Sequence, residues 1–324
     1  MFHEFANVWT PVTLAKHLKP GLPLPIQLAG EKLVLFRDAK GAPGALLDRC
    51  PHRGVALSLG KVKGDCLECP FHAWQFDTQG RACEIPLNPD AKRDRLFATA
   101  VPVREIGGLL WVYTAATHTP SSEPVVPDGL TMPGLARTYL EVEWKAHWSR
   151  AMENMLDSPH VPYLHAKTIG RFVRPMLKPG SKMEIVWEDT PFGGRTQAII
   201  DGKEGGGRLD FYRPNIMVLH IPMPNQTFRM HAIAVPAAER AVRMIVIGAR
   251  SFARFPLLNP LFNWSNRKIV NEDRAVVESS DPVEVPPANH ELSVATDRAT
   301  LRFRRYYFEQ LKQPAAPLGQ LKEL

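Results

Sequence analysis

Two groups of side chains in this sequence have types and spacing that could do chemistry. In the first, Cys50-Pro51-His52-Arg53-Gly54 is followed by Cys69-Pro70-Phe71-His72, with sixteen residues between His52 and Cys69. Two cysteines and two histidines on neighbouring loops make a four-ligand site. It could hold Zn²⁺ tetrahedrally, or a [2Fe–2S] cluster with two thiolates on one iron and two imidazoles on the other. A zinc finger pairs Cys with Cys and His with His along the chain, whereas here each loop offers Cys and then His.

The second group is Asn154-Met155-Leu156-Asp157-Ser158-Pro159-His160-Val161-Pro162-Tyr163-Leu164-His165. On an unbroken helix, residues five apart diverge by about 140° and chelate one metal poorly. Pro162 is expected to break the helix between the histidines and let His165 swing back toward His160. Asp157 lies three residues before His160, on the same face, where it could bond the ring nitrogen that does not bind metal.

The first group, with a proline after each cysteine, resembles the Rieske [2Fe–2S] motif. Trp74 and Phe71 are placed to shield the cluster. One departure is Ala73, where relatives commonly carry glycine; if the position needs a positive φ, alanine costs roughly 1 kcal/mol. Cys66 and Cys83 fit no ligand slot and are read as small buried residues. Asn-x2-Asp-x2-His-x4-His about ninety residues after these loops resembles the catalytic domain of Rieske non-haem iron oxygenases, and the resemblance runs from Trp9 to about Leu311.

That resemblance implies a mononuclear Fe(II) held by His160, His165 and one carboxylate, with open positions for O₂. In Asn271-Glu272-Asp273-Arg274-Ala275-Val276-Val277-Glu278, Asp273 matches the family's late helical aspartate. Glu272 is the competing carboxylate and Asp281 a more distant one. The resemblance further implies that Asp157 bridges His160 to the cluster histidine His72 of a neighbouring chain in a head-to-tail homotrimer, and that Asn154 bonds locally near the iron.

It also implies a terminal oxygenase using O₂ and electrons from NAD(P)H. No Gly-x-Gly-x-x-Gly with a following acidic residue occurs, and no flavin site is legible, so a separate reductase or ferredoxin is expected to carry the electrons. The chain length suits the monooxygenase branch, with hydroxylation or O- or N-demethylation of a small aromatic substrate. Candidate pocket walls are Met217, Leu219, Ile233 and Trp264. The alternative is a Rieske electron-transfer or redox-sensing protein without oxygenase chemistry.

Composition agrees with an enzyme of this size. The 324 residues are 44% hydrophobic and 23% charged, which excludes disordered and fibrous classes. No apolar run nears the ~18 residues of a membrane span, and no secretory signal is legible, so a cytoplasmic location is expected. The net charge of +7 comes from Lys and Arg spread along the chain without a dense block. That argues against nucleic acid, and could serve an acidic redox partner or an anionic substrate.

The elements that must position these groups read as an α+β chain. Residues 1–115 form an all-β Rieske domain, 116–134 a Pro-rich linker and 135–324 a catalytic domain, for which the resemblance implies a helix-grip fold. Strands are expected at Leu33–Phe36, Ala45–Asp48, Trp74–Asp77 and Leu109–Tyr113. In the second half they are expected at Tyr139–Trp144, Met183–Trp187, Arg195–Ile200, Asn215–Ile221, Thr227–Val235 and Val242–Ala249. Helices are expected from about Trp148 to His160, from Asn259-Pro260 to about Ser279, and from about Thr296 to Lys312 ahead of a Pro-rich tail.

Overall fold

The computed structural model describes residues 1–117 and 119–312; the Pro-rich tail lies outside the described residues. The N-terminal half is three small antiparallel sheets. Trp9–Leu14 pairs with Leu109–Tyr113, which also pairs with Val103–Ile106, so the first and last strands of this half lie side by side. A second sheet joins Leu24–Leu28, Glu31–Arg37 and Pro43–Leu47. The third is built from Lys61–Lys63, Cys66–Glu68, Gln75–Phe76 and Ala82–Glu84. Val34, Phe36, Leu46, Leu57, Leu67 and Phe76 pack between the last two sheets in a small core that also takes in Cys50 and Cys69.

Cys66 and Cys83 depart from their expected role as small buried residues: they form a disulfide across seventeen positions of sequence. Cys66 is buried, Cys83 is half-buried, and their strands flank Gln75–Phe76. Neither strand is legible from hydrophobic alternation because each is three residues long.

Among the described residues, the segment between Tyr113 and Ala136 contains one short helix, Asp128–Thr131. The second half is an antiparallel sheet ordered Ala136–Trp144, Ala241–Arg250, Phe228–Ala238, Ile216–His220, Arg208–Tyr212, Gly193–Ile200, Met183–Thr190. Lys203–Glu204 adds a short strand against Gly193–Ile200. Arg208–Tyr212 was not among the expected strands, although Leu209 and Phe211 alternate with Arg208 and Asp210.

Three helices lie against one face of this sheet: Trp148–Leu156, Asn259–Val277 and Arg298–Tyr306. Trp148, Ala151, Met152, Met155 and Leu156 recur at helical spacing and are buried. Fully burying side chains of this size stabilises the fold by roughly 1.5–3 kcal/mol each. A largely buried ion cluster ties Trp148–Leu156 to Arg298–Tyr306. Arg150 and Arg304 both reach Glu153 and Glu291, and Arg150 also donates to Pro282 O.

The helix that leads to the histidines ends at Leu156, not at His160, and Pro162 is not what breaks it. Proline at 159 disfavours helical geometry at Ser158, and Asp157 closes the helix in extended geometry. His160 then caps a new short helix, Val161–Leu164, in which Pro162 sits in the first turn, where a missing N–H costs nothing. The long helix starts at Asn259 with Leu258 in the cap position, one residue from the expected pattern.

Candidate metal centres

The two cysteine loops have the same backbone design. Cys50 N–H donates to Val55 O at 2.8 Å and Gly54 N–H to Cys50 O at 2.9 Å; Cys69 N–H donates to Trp74 O at 2.8 Å and Ala73 N–H to Cys69 O at 3.0 Å. Gly54 and Ala73 occupy equivalent positions, with φ of 71° and 57°. The left-handed geometry expected at Ala73 is therefore present, and only the first loop meets it with glycine.

These loops bring Cys50, His52, Cys69 and His72 together. Both cysteines are free and 2% exposed. Burial, together with the facing Cys69 thiol, pushes the Cys50 thiol up to about 11. Buried thiols held against each other lack the cation that would favour their thiolates, and a bound iron supplies it. The His52 and His72 rings lie 4.7 Å apart, and His52 Nδ1 is buried with no hydrogen-bond partner. Burial and the neighbouring His72 and Arg53 lower the pKa of His52, which favours the neutral ring that a metal ligand needs. Trp74 stacks on His52 with centroids 4.4 Å apart and planes 2° from parallel. Phe71 packs at 3.9 Å from the His72 ring but is 59% exposed.

The second site gathers residues from two distant parts of the chain. His160, His165 and Asp273 each offer one ligand atom, all within 4.8 Å of one another. Asp273 Oδ1 lies 3.0 Å from His165 Nε2 and 3.6 Å from His160 Nε2. The other nitrogen of each ring has its own carboxylate: Asp157 Oδ2 is 3.0 Å from His160 Nδ1, and Glu272 Oε2 is 2.8 Å from His165 Nδ1. With Nδ1–H donating to a carboxylate, each ring turns its Nε2 toward Asp273 Oδ1. That oxygen is buried and makes no hydrogen bond, although His165 Nε2 approaches it closely. Three lone-pair donors aimed at one point repel one another unless a proton or a cation lies between them. A divalent metal fits this set, with two imidazoles and one carboxylate suiting Fe(II). Burial alone would lower the pKa of His165; Asp273 and Glu272 reverse that and raise it.

Asn154 is half-buried on the helix before the histidines, and its carbonyl accepts from Asp157 N–H at 3.2 Å. Asp281 is exposed, just before a cis proline bond. Glu272 does not face solvent as an acidic pair on a helix usually would; it grips His165 and accepts from Thr168 Oγ1 at 2.6 Å. A side chain one position along a helix turns by ~100°, so adjacent carboxylates can reach opposite sides of one ring, a feature that spacing alone does not reveal.

The expected pocket set is split by the sheet. Met217 pairs with Ala232 and Leu219 with Met230, so these four share a face, whereas Ile233 pairs with Ile216 on the opposite face and is fully buried. A Cβ on Gly248 would lie 3.3 Å from Met230 Sδ and 3.7 Å from Asn266 Nδ2. The face carrying Met217, Leu219, Met230 and Ala232 is thus the one covered by the helix of Asp273. Trp264, on that helix, is 65% exposed. Ile233 and Trp264 therefore do not share the face that carries Met217 and Leu219, whereas Met230 and Ala232 do. A cleft of about 800 Å³, lined by residues that include Lys182, Ile185, Arg298 and Leu301, contains none of the metal-site residues.

Comparison with known proteins concerns the domains that carry these residues. Residues 8–102 match the Rieske [2Fe-2S] domain, and residues 207–313 match the vanillate O-demethylase oxygenase C-terminal domain. The chain is 34% identical over 221 residues to 4beta-methylsterol monooxygenase of Methylococcus capsulatus, covering 62% of this chain and 56% of that protein. It is 33% identical over 166 residues to the 5,5'-dehydrodivanillate O-demethylase oxygenase subunit of a Sphingobium species, covering 49% of this chain and 38% of the relative. The chain thus spans little more than half the length of such relatives at most. The solved structure of NdmA from Pseudomonas putida CBB5 shares the fold, with a TM-score of 0.78 at 24% identity over 94% of this chain and 89% of that one. With a Rieske domain in front of an oxygenase C-terminal domain, the chain belongs to the Rieske non-haem iron oxygenases.

Proposed function

We propose that the chain is the terminal oxygenase component of a multicomponent Rieske monooxygenase. On this reading it hydroxylates or O- or N-demethylates a small, ring-bearing substrate. The observation that carries the reading is the convergence of His160, His165 and the unpartnered Asp273 Oδ1 in a chain that also holds Cys50, His52, Cys69 and His72. An electron carrier has no use for the first group. When bound, the cluster supplies electrons singly and the mononuclear iron activates O₂ at the positions its protein ligands leave open.

The protein's own part is positioning. Asp157 and Glu272 hold the two imidazoles with Nε2 forward, and Met217, Leu219, Met230 and Ala232 offer an apolar wall under the helix of Asp273. Among the relatives are a 4beta-methylsterol monooxygenase and an O-demethylase oxygenase subunit, beside dioxygenases named for 3-chlorobenzoate and phthalate, and the NdmA structures include one with caffeine. The first two names support demethylation or methyl hydroxylation.

Electrons would come from NAD(P)H through a separate reductase or ferredoxin, which places the enzyme in the cytoplasm with those carriers. A head-to-tail homotrimer would let His72, exposed at the tip of its loop, meet the partly exposed Asp157 of a neighbour. No helix among the described residues is long and apolar enough to cross a membrane.

Iron and acid-labile sulfide analysis of the purified chain, with its absorption spectrum, tests the reading. Three irons and two sulfides per chain are expected. Two irons would leave a carrier, and zinc without sulfide would leave a structural metal protein. Formaldehyde release from an aryl methyl ether under O₂ with a reductase then tests demethylation.

A further inference from the structure

Resting on the mononuclear-iron reading, we propose that Glu272 is the positioning residue of the inner histidine. It locks the His165 ring with Nε2 toward the metal and fastens the histidine segment to the helix of Asp273.

The two histidines are oriented by separate carboxylates of different origin. Asp157 is local to His160, three residues away, and its Oδ2 also accepts the His160 backbone N–H at 3.0 Å. Glu272 comes from a helix more than a hundred residues later and takes Nδ1–H of a ring only 2% exposed. A buried imidazole without a partner at Nδ1 could flip or exchange tautomers, and either change would turn an N–H toward the metal position. Glu272 opposes both, because the carboxylate oxygen that takes the Thr168 hydroxyl faces Nδ1 as an acceptor.

Glu272 is itself held. Thr168 Oγ1 donates to the same Oε2 at 2.6 Å, and Thr168 sits in the turn that follows His165, with its own N–H on His165 O at 2.9 Å. His165, Thr168 and Glu272 therefore form a closed triangle joining the two chain segments that supply the ligands. Consecutive residues of one helix span the ring, Glu272 at Nδ1 and Asp273 at Nε2. Asp157, by contrast, is partly exposed and can also serve a group from outside the chain. The division of labour follows: Glu272 governs metal retention, and Asp157 governs communication with the neighbouring cluster.

The test uses the full chain carrying its [2Fe–2S] cluster, whose absorption reports folding in every variant. Fe(II) affinity of the mononuclear site is measured by competition with a chelator. The Co²⁺-loaded site is examined by proton NMR for the two exchangeable ring N–H signals. Glu272→Ala is expected to weaken Fe(II) binding by about 10–100-fold and to lose one of the two signals. Glu272→Gln, which keeps an acceptor oxygen, should restore that signal with intermediate affinity. Thr168→Val should show a smaller loss in the same direction, and covers the case in which Glu272→Ala does not fold. Wild-type affinity with both signals intact in folded Glu272→Ala, or in Thr168→Val if the former does not fold, overturns the proposal. His165→Ala separates the two levels: if it keeps its mononuclear iron, the iron reading itself fails, whereas loss of iron there with unchanged Glu272 variants defeats only the role given to Glu272.

Discussion

Asp157 holds His160 twice through a single oxygen: Oδ2 accepts the backbone N–H at 3.0 Å and lies 3.0 Å from Nδ1 of the ring. The bond is made just after the helix ends, so the carboxylate is fixed in place while about a quarter of it stays exposed. Asp157→Asn is isosteric and keeps an acceptor oxygen for His160 Nδ1. In the proposed trimer it should leave iron and sulfide content intact but slow reoxidation of the reduced cluster by orders of magnitude with O₂ and substrate present. Rapid-mixing absorption spectroscopy reads this directly, and reoxidation at the wild-type rate would remove the bridge and the case for a trimer.

His160→Ala and Asp273→Ala should each lower the iron count from three to two per chain, abolish turnover and keep the brown colour of the cluster. Glu272 reaches the far side of His165, and Asp281 is exposed, so neither stands ready to replace Asp273. Full iron content in Asp273→Ala would show the carboxylate to be misassigned.

Ala73 adopts φ 57° where the matching position of the other loop is Gly54. Ala73→Gly relieves a side chain in left-handed geometry, against the entropy glycine adds to the unfolded chain. The expected net gain is about 0.5–1 kcal/mol. It should appear as a higher thermal midpoint for cluster bleaching with the absorption spectrum unchanged. A lower midpoint would mean that the methyl group packs favourably enough to outweigh the strain.

Asp210 gives a pH dependence of defined sign. Burial would raise its pKa, but His220 at 2.9 Å and Arg195 at 2.8 Å, with Arg208 beside them, hold it down at about 2. A folded pKa below the unfolded value of about 3.9 stabilises the native state above pH 4, and the contribution fades as pH falls toward 2. Asp210→Asn should therefore cost on the order of 2–3 kcal/mol at pH 7, and less as the solution is acidified below pH 4. Urea midpoints at several pH values measure it; a deficit equal at pH 7 and pH 3 would assign the loss to packing and not to charge.

Short-range features were legible in the sequence because their geometry is local. The two Cys-Pro loops, the Asn154-to-His165 run and strands such as Leu109–Tyr113 depend on neighbouring residues, and spacing with elementary backbone rules describes them. Pro162 shows the limit even at short range. Either proline could end the helix, and the one at 159 does so first because it constrains the residue before it. Features that join distant segments needed the fold. Glu272 and Asp273 are adjacent acidic residues in sequence, and only the seating of their helix decides that one carboxylate reaches Nε2 of His165 and the other Nδ1. Ile233 looks as fit for the pocket as Met217, yet strand register turns it to the other face, since side chains alternate with period two. Cys66 and Cys83 lie on the strands either side of Gln75–Phe76, so their pairing depends on sheet order and not on any pattern along the chain.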